Sequence, residues 1–370
     1  MNPRLRPCYP FRIVHAQFFL AFLLTFVCQA FGQAAATAPP NLPTDPRELL
    51  AMAAPHYDFN DPALKPWHMK ATYQLYDEKG KPTEQGTYEY WWASPKVHRS
   101  TWTRADATRT DWATADGAVH RKENGGSLRY FERNLNTILL HPLPPRADLE
   151  SEKMKLDLKV IGEGQSRLTC ATAALQWEQN GTLKAQPSAM AQYYCFDPAT
   201  MALRFRYSNL VTTEYHQIAQ IQGRYHARQV AVSIGKQEIF SVSVEVIDGA
   251  DPSAPGLSPP ADSVVVNEPA HEPPATQPGG DVTKGLLVRK TTPIYPAIAK
   301  ATHQQGTVVL AATIGDDGLI HDLEVLASPS PILRAAALDA VKRWQYKPYL
   351  LNGKPVEVET VVNVEFRLSN

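Results

Sequence analysis

Cysteine is scarce in this chain of 370 residues: there are four, and Cys8 and Cys28 fall within the first 36 positions. Neither a Cys-x-x-Cys pair nor a histidine cluster accompanies Cys170 and Cys195, which excludes the common thiolate metal centres. Net charge is absent too, with 37 basic and 37 acidic residues and no basic run. Nucleic acid is therefore not expected as a partner. Gly-x-Ser-x-Gly, His-Glu-x-x-His, phosphate-loop and dinucleotide-binding signatures are missing. The 11 histidines are scattered, and the carboxylates show no pairing that marks an acid and a base. Gly315-Asp316-Asp317-Gly318 lacks the ligand spacing and distal glutamate of a calcium loop and reads as a turn. No catalytic residue, metal or cofactor is expected, and the chain reads as a binding protein, not an enzyme.

Long apolar runs are confined to the leader. Arg4, Arg6 and Arg12 precede the run Phe18 to Cys28, and small residues follow around Gly32 to Ala36. This is the layout of a secretory signal peptide over residues 1–36. The uncharged stretch from Ile13 to Phe31, 19 residues, is also long enough to stay in a bilayer as an anchor. Either reading places the remainder beyond the cytoplasmic membrane, as a soluble periplasmic protein or one tethered to the inner membrane. That compartment permits disulfides, and a Cys170–Cys195 bridge is expected.

Residues 45–250 show period-two patterning broken by turn residues. Met69, Ala71, Tyr73 and Leu75 alternate with more polar neighbours, and Phe240, Val242, Val244 and Val246 do the same. Such runs predict a mainly-β antiparallel domain, open or rolled into a half-barrel. Trp91, Trp92, Trp102 and Trp112 either pack its core or line an apolar cavity. Residues 251–282, with eight prolines, predict a semi-rigid linker reaching roughly 90–100 Å when extended.

Residues 283–370 read as a small α+β module. Pro296 opens a short helix. Val308, Leu310, Ala312 and Ile314 share one strand face, and Ser330-Pro331 starts a helix. Asn352-Gly353 makes a tight turn into the final strand. In that strand Val358, Thr360, Val362, Val364 and Phe366 are apolar or β-branched. Glu357, Glu359, Asn363 and Glu365 alternate with them, so one face is expected in the core and the other in water. As the last element it can form a sheet edge with unpaired backbone groups.

Tyr295-Pro296, Gly306-Thr307-Val308, Asp317-Gly318, Ala336 to Val341, Trp344 to Pro348 and Asn352 to Val356 together resemble the TonB C-terminal domain, over roughly residues 285–370. Residues 45–250 are weakly similar to LolA-like half-barrels that carry lipoproteins. The first resemblance implies an energy transducer for transmembrane transport. An ExbB/ExbD-type inner-membrane motor would pull on it, and the module would grip a segment of an outer-membrane transporter as an added strand. Tyr295, Pro296, Val358, Thr360, Val362, Val364 and Phe366 are the partner-binding residues that follow. The cleavable leader and its lack of serine support an alternative, a non-energised periplasmic binding protein whose β domain holds a lipid or lipoprotein and whose C-terminal module is a docking adaptor. The chain departs from the transducer pattern. Its leader has no serine, and a folded domain with a shorter linker replaces the long Lys-Pro/Glu-Pro spacer.

Overall fold

The computed structural model describes residues 42–77, 79–144, 154–179, 182–185, 191–251, 256–266, 287–351 and 354–368. The leader and the Asn352-Gly353 turn lie outside them. Among the described residues no helix is long and apolar enough to cross a membrane.

Asp45 caps the first helix, α1 (Pro46–Ala53), by accepting from the Arg47 amide at 2.6 Å, and Pro46 takes the first turn. Leu49, Leu50 and Ala53 are its buried side. The strands that follow are β1 (Trp67–Tyr76), β2 (Pro82–Ser94), β3 (Val97–Arg104), β4 (Ala107–Ala113), β5 (Val119–Gly125), β6 (Met154–Ile161), β7 (Leu168–Gln179), β8 (Thr182–Ala185), β9 (Gln192–Phe196), β10 (Leu203–Ser208), β11 (Val211–Ile221), β12 (Arg224–Ile234), β13 (Gln237–Gly249) and β14 (Val264–Val266). They form one antiparallel sheet in the order β14-β5-β4-β3-β2-β1-β13-β12-β11-β10-β9-β7-β6, with β8 beside β7. The end strands β6 and β14 do not pair with each other, so the sheet is open and not a closed barrel.

Period two does what the sequence requires. Trp67, Met69, Ala71, Tyr73 and Leu75 of β1 are all buried, as are Tyr88, Tyr90 and Trp92 of β2. Trp67 packs on Tyr90 and Trp92 with ring centroids 5.2 and 6.3 Å apart, and Trp92 and Trp102 join it in the packed core, while Trp91 lies on the opposite face beside His68 and Arg99.

Two short helices, α2 (Tyr130–Arg133) and α3 (Leu135–Leu139), complete that core from a stretch whose pattern reads as neither helix nor strand. Phe131 stacks on Phe240 at 5.5 Å. Glu132 is fully buried yet satisfied. It accepts from Arg104 (2.6 Å), Tyr73 (2.5 Å) and the Arg129 amide (2.7 Å), and its own carbonyl takes the Trp102 indole N–H at 2.8 Å. A buried carboxylate is tolerable only with such pairing.

Part of the expected linker is not free. The Gly256 carbonyl accepts from Trp112 (2.8 Å) and Arg99 (3.2 Å), Lys122 pairs with Asp262 at 2.6 Å, and β14 adds to β5. Residues 256–266 therefore lie along the border of the large sheet. The β-branched triplet Val264–Val266 suits a strand, and β5 offers it unpaired backbone groups.

The C-terminal elements are β15 (Leu287–Arg289), α4 (Ala297–Ala301), β16 (Gly306–Ile314), β17 (Ile320–Ala327), α5 (Pro331–Val341), β18 (Gln345–Tyr346), β19 (Tyr349–Leu351), β20 (Lys354–Val356) and β21 (Val358–Phe366). Strands pair as β17-β16-β21, β15-β18 and β19-β20. Ser330 caps α5 by accepting from the Leu333 amide, and Leu333, Ala337, Ala340 and Val341 face inward. Gly318 has φ 78°, and a Cβ there would come within 2.1 Å of the Tyr346 carbonyl. Only glycine fits that turn.

Cys170 and Cys195 face each other across β7 and β9 and are joined by a disulfide. Replacing both with alanine should lower unfolding stability by about 3 kcal/mol, because 25 residues of sequence separate them. A denaturant midpoint that does not move on substitution or on reduction would contradict this.

Candidate functional site: the outer strand of the C-terminal sheet

β21 is the last strand of β17-β16-β21. It pairs with β16 along its whole length, from Gly306↔Phe366 to Ile314↔Val358. Among the described residues no strand pairs with its other side. In an antiparallel ladder alternate residues turn their N–H and C=O outward, so a strand of nine residues presents about four outward pairs.

The expected site residues have a supporting role around this border. Thr360, Val362, Val364 and Phe366 are buried, and Val358 is half-buried. The valines and Phe366 share a core with Val308, Leu310, Ala312 and Ile314 of β16 and with Leu333, Ala337 and Val341 of α5. Tyr295 meets the Phe366 ring edge-on at 5.4 Å, and its hydroxyl donates to the Gln304 carbonyl at 2.5 Å. Pro296 caps α4. These side chains hold the strand straight, and the part of β21 left for another molecule is its backbone.

The opposite face of β21 differs from expectation. Its ends, at Glu357 and Glu365, are exposed as expected, but its middle docks on the large sheet. Val309 and Ala311 of β16 and Leu326 of β17 are buried in the same cluster as Phe131 and Phe240, and Val361 packs against it. Arg133 pairs with Glu359 at 2.5 Å, and Asn134 donates to the same carboxylate at 3.1 Å. Glu324 accepts the Tyr130 amide at 2.7 Å, at the start of α2. Asn209 donates to the Val361 carbonyl at 2.5 Å and accepts from Asn363 at 2.7 Å. The polar residues on that face are polar because they meet polar groups of another layer. No local pattern marks Arg133 or Glu324, whereas Asn209 carries a signal as a turn former between two alternating runs.

Where β17 meets the large sheet there is a cleft of about 370 Å³. Leu75, Glu84, Arg129, Phe131, Glu324 and Arg334 are among its lining residues, so it mixes both signs of charge. Burial pushes the Glu324 carboxyl above the ordinary carboxylate range, against the opposing pull of the Tyr130 amide and of Arg133 and Arg129. A raised folded pKa favours the protonated folded state. That contribution is complete below the unfolded pKa and is lost as pH rises through the folded value. Glu324→Gln keeps an acceptor and never ionises. It should melt higher than the parent at neutral pH, with the gap closing as pH falls to about 4. A melting difference that stays constant over that range would refute the assignment.

Residues 291–368 match the family described as Gram-negative bacterial TonB protein C-terminal. The chain is 34% identical over 86 residues to Protein TonB of Pseudomonas aeruginosa, which covers 22% of this chain and 25% of that one. It is 30% identical over 118 residues to Protein TonB of Klebsiella pneumoniae, covering 32% and 43%. The chain thus spans less than half the length of these relatives. Among solved structures it is similar to the TonB C-terminal domain of Pseudomonas aeruginosa, determined in solution, with 30% identity and a TM-score of 0.21 over 23% of this chain and 86% of that one. It is also similar to a LolA superfamily protein from Nitrosomonas europaea, with 9% identity and a TM-score of 0.33 over 55% of this chain and 94% of that one. The module at residues 291–368 thus matches the TonB C-terminal family, in a chain whose other described part is a large, open antiparallel sheet.

Proposed function

We propose that this protein works in the periplasm and captures an N-terminal segment of an outer-membrane transporter by strand addition to β21. The observation that carries this reading is the outer side of β21, with which no strand pairs among the described residues, set on a strand whose apolar side chains are mostly buried. Backbone pairing asks little of the partner's sequence. Each net hydrogen bond contributes about 0.5–1.5 kcal/mol, so a grip needs several in a row. The transducer role, with an ExbB/ExbD-type motor pulling on the leader, is part of this proposal, and residues 283–370 are its gripping domain. The Tyr295 brace against Phe366 serves to keep the end of β21 in place under load.

The docked module and the anchored stretch 256–266 favour a second reading. A chain whose tether is partly laid down on its own sheet has less free reach than the linker composition suggests. In that reading the protein is a non-energised adaptor, with a lipid or lipoprotein as a ligand of the large sheet. The N-terminus of the mature protein separates the two. Met1 recovered in the membrane fraction supports transduction, and a start near Ala35 or Thr37 supports the adaptor.

The capture itself is tested with synthetic peptides from transporter N-termini added to the full chain. Unmodified peptide should slow amide exchange in β21, and N-methylation at alternate backbone amides should weaken binding at least about tenfold in one of the two registers. Equal binding by plain and both N-methylated peptides, or unchanged exchange in β21, would sink strand addition.

A further inference from the structure

We propose that Asn209 is an internal occupant of the β21 border, and that a partner strand must displace its carboxamide to pair along the whole strand. This rests on the strand-addition reading above and concerns the regulation of the same site.

Asn209 and Leu210 form the two-residue turn between β10 and β11, with φ of 54° and 71°. Both central residues with positive φ is the geometry of a type I′ hairpin, which asparagine tolerates well and leucine poorly. The turn is thus held in a costly shape at the point where it meets β21. Asn209 is 5% exposed. Both ends of its carboxamide contact β21: Nδ2 donates to the Val361 carbonyl at 2.5 Å, and Oδ1 accepts from Asn363 Nδ2 at 2.7 Å.

A carboxamide is chemically a peptide group, with an N–H donor beside a C=O acceptor. At Val361 it makes the kind of hydrogen bond that the backbone of an incoming strand makes. The clasp is also incomplete. Asn363 Oδ1 is buried without a hydrogen-bond partner among the described residues. A buried acceptor without a donor weakens the arrangement that leaves it so. Asn209 therefore covers the border with one side chain, and extended peptides that form several bonds can replace it where single contacts cannot. The effect is a threshold on capture: short or irregular segments are rejected, and a continuous strand gets in.

Glycine adopts positive φ without strain, so Asn209→Gly keeps the turn and removes the carboxamide. Asn209→Asp keeps the shape and removes the N–H donor. Each full-length variant is checked for folding by thermal melting and titrated with the transporter N-terminal peptide by calorimetry. Both should bind about 3–10-fold tighter than the parent, where tenfold is about 1.4 kcal/mol. If the parent binds and the variants bind equally or more weakly, Asn209 is a structural clip, and this inference falls while strand addition stands. If neither parent nor variants bind, strand addition falls and takes the inference with it. Should Asn209→Gly fail to fold, Asn209→Asp decides alone.

Discussion

The three-stranded sheet of the C-terminal module is held between two layers, and that burial on both faces is what the rest depends on. Its even-numbered β21 side chains lie with α5, and its odd-numbered face lies on the core beneath the large sheet. Apolar surface removed from water on both faces fixes the sheet firmly, at roughly 25 cal/mol for each Å² buried. With the middle of both faces covered, the sheet keeps only polar ends exposed on its faces. Its border is what remains, and β21 is on that border.

The docking is polar at its rim. Arg133–Glu359, the Tyr130 amide on Glu324, and the Asn209–Val361–Asn363 contacts all surround the apolar centre made by Val309, Ala311 and Leu326. Such partly buried pairs contribute more to orientation than to net stability. Their placement is therefore best understood as setting the register of the module on the sheet. Residues 129–136 are central to this: the same short stretch plugs the large sheet through Glu132 and meets the module through Tyr130, Arg133 and Asn134. A movement of α2 would be felt on both sides.

Much of the fold was legible from local pattern. The alternation in β1 and β13, the Ser330-Pro331 helix start, the Gly315 to Gly318 turn and the disulfide partners all follow from rules that act over a few residues. The stretch around α2 and α3 was not legible, because helices of four and five residues have too few turns to show a period. Residues 256–266 were misleading, because proline content describes a chain's stiffness and says nothing of an open sheet border nearby. For the candidate site, the strand and its apolar residues could be read in advance. The burial of Glu359 and Val361 against another layer could not, since alternation distinguishes two faces but cannot say that the polar one meets protein instead of water.

The amino-acid order by itself determined that β21 is a strand, which of its side chains point together, and which module it closes. These are matters of period and of neighbours in sequence. Tertiary structure alone decided that β21 is an outer strand, that its polar face is docked, and that Asn209, some 150 residues away, reaches its backbone. Those depend on which surfaces meet once the chain is compact, and contacts across such distances leave no local trace in the chain.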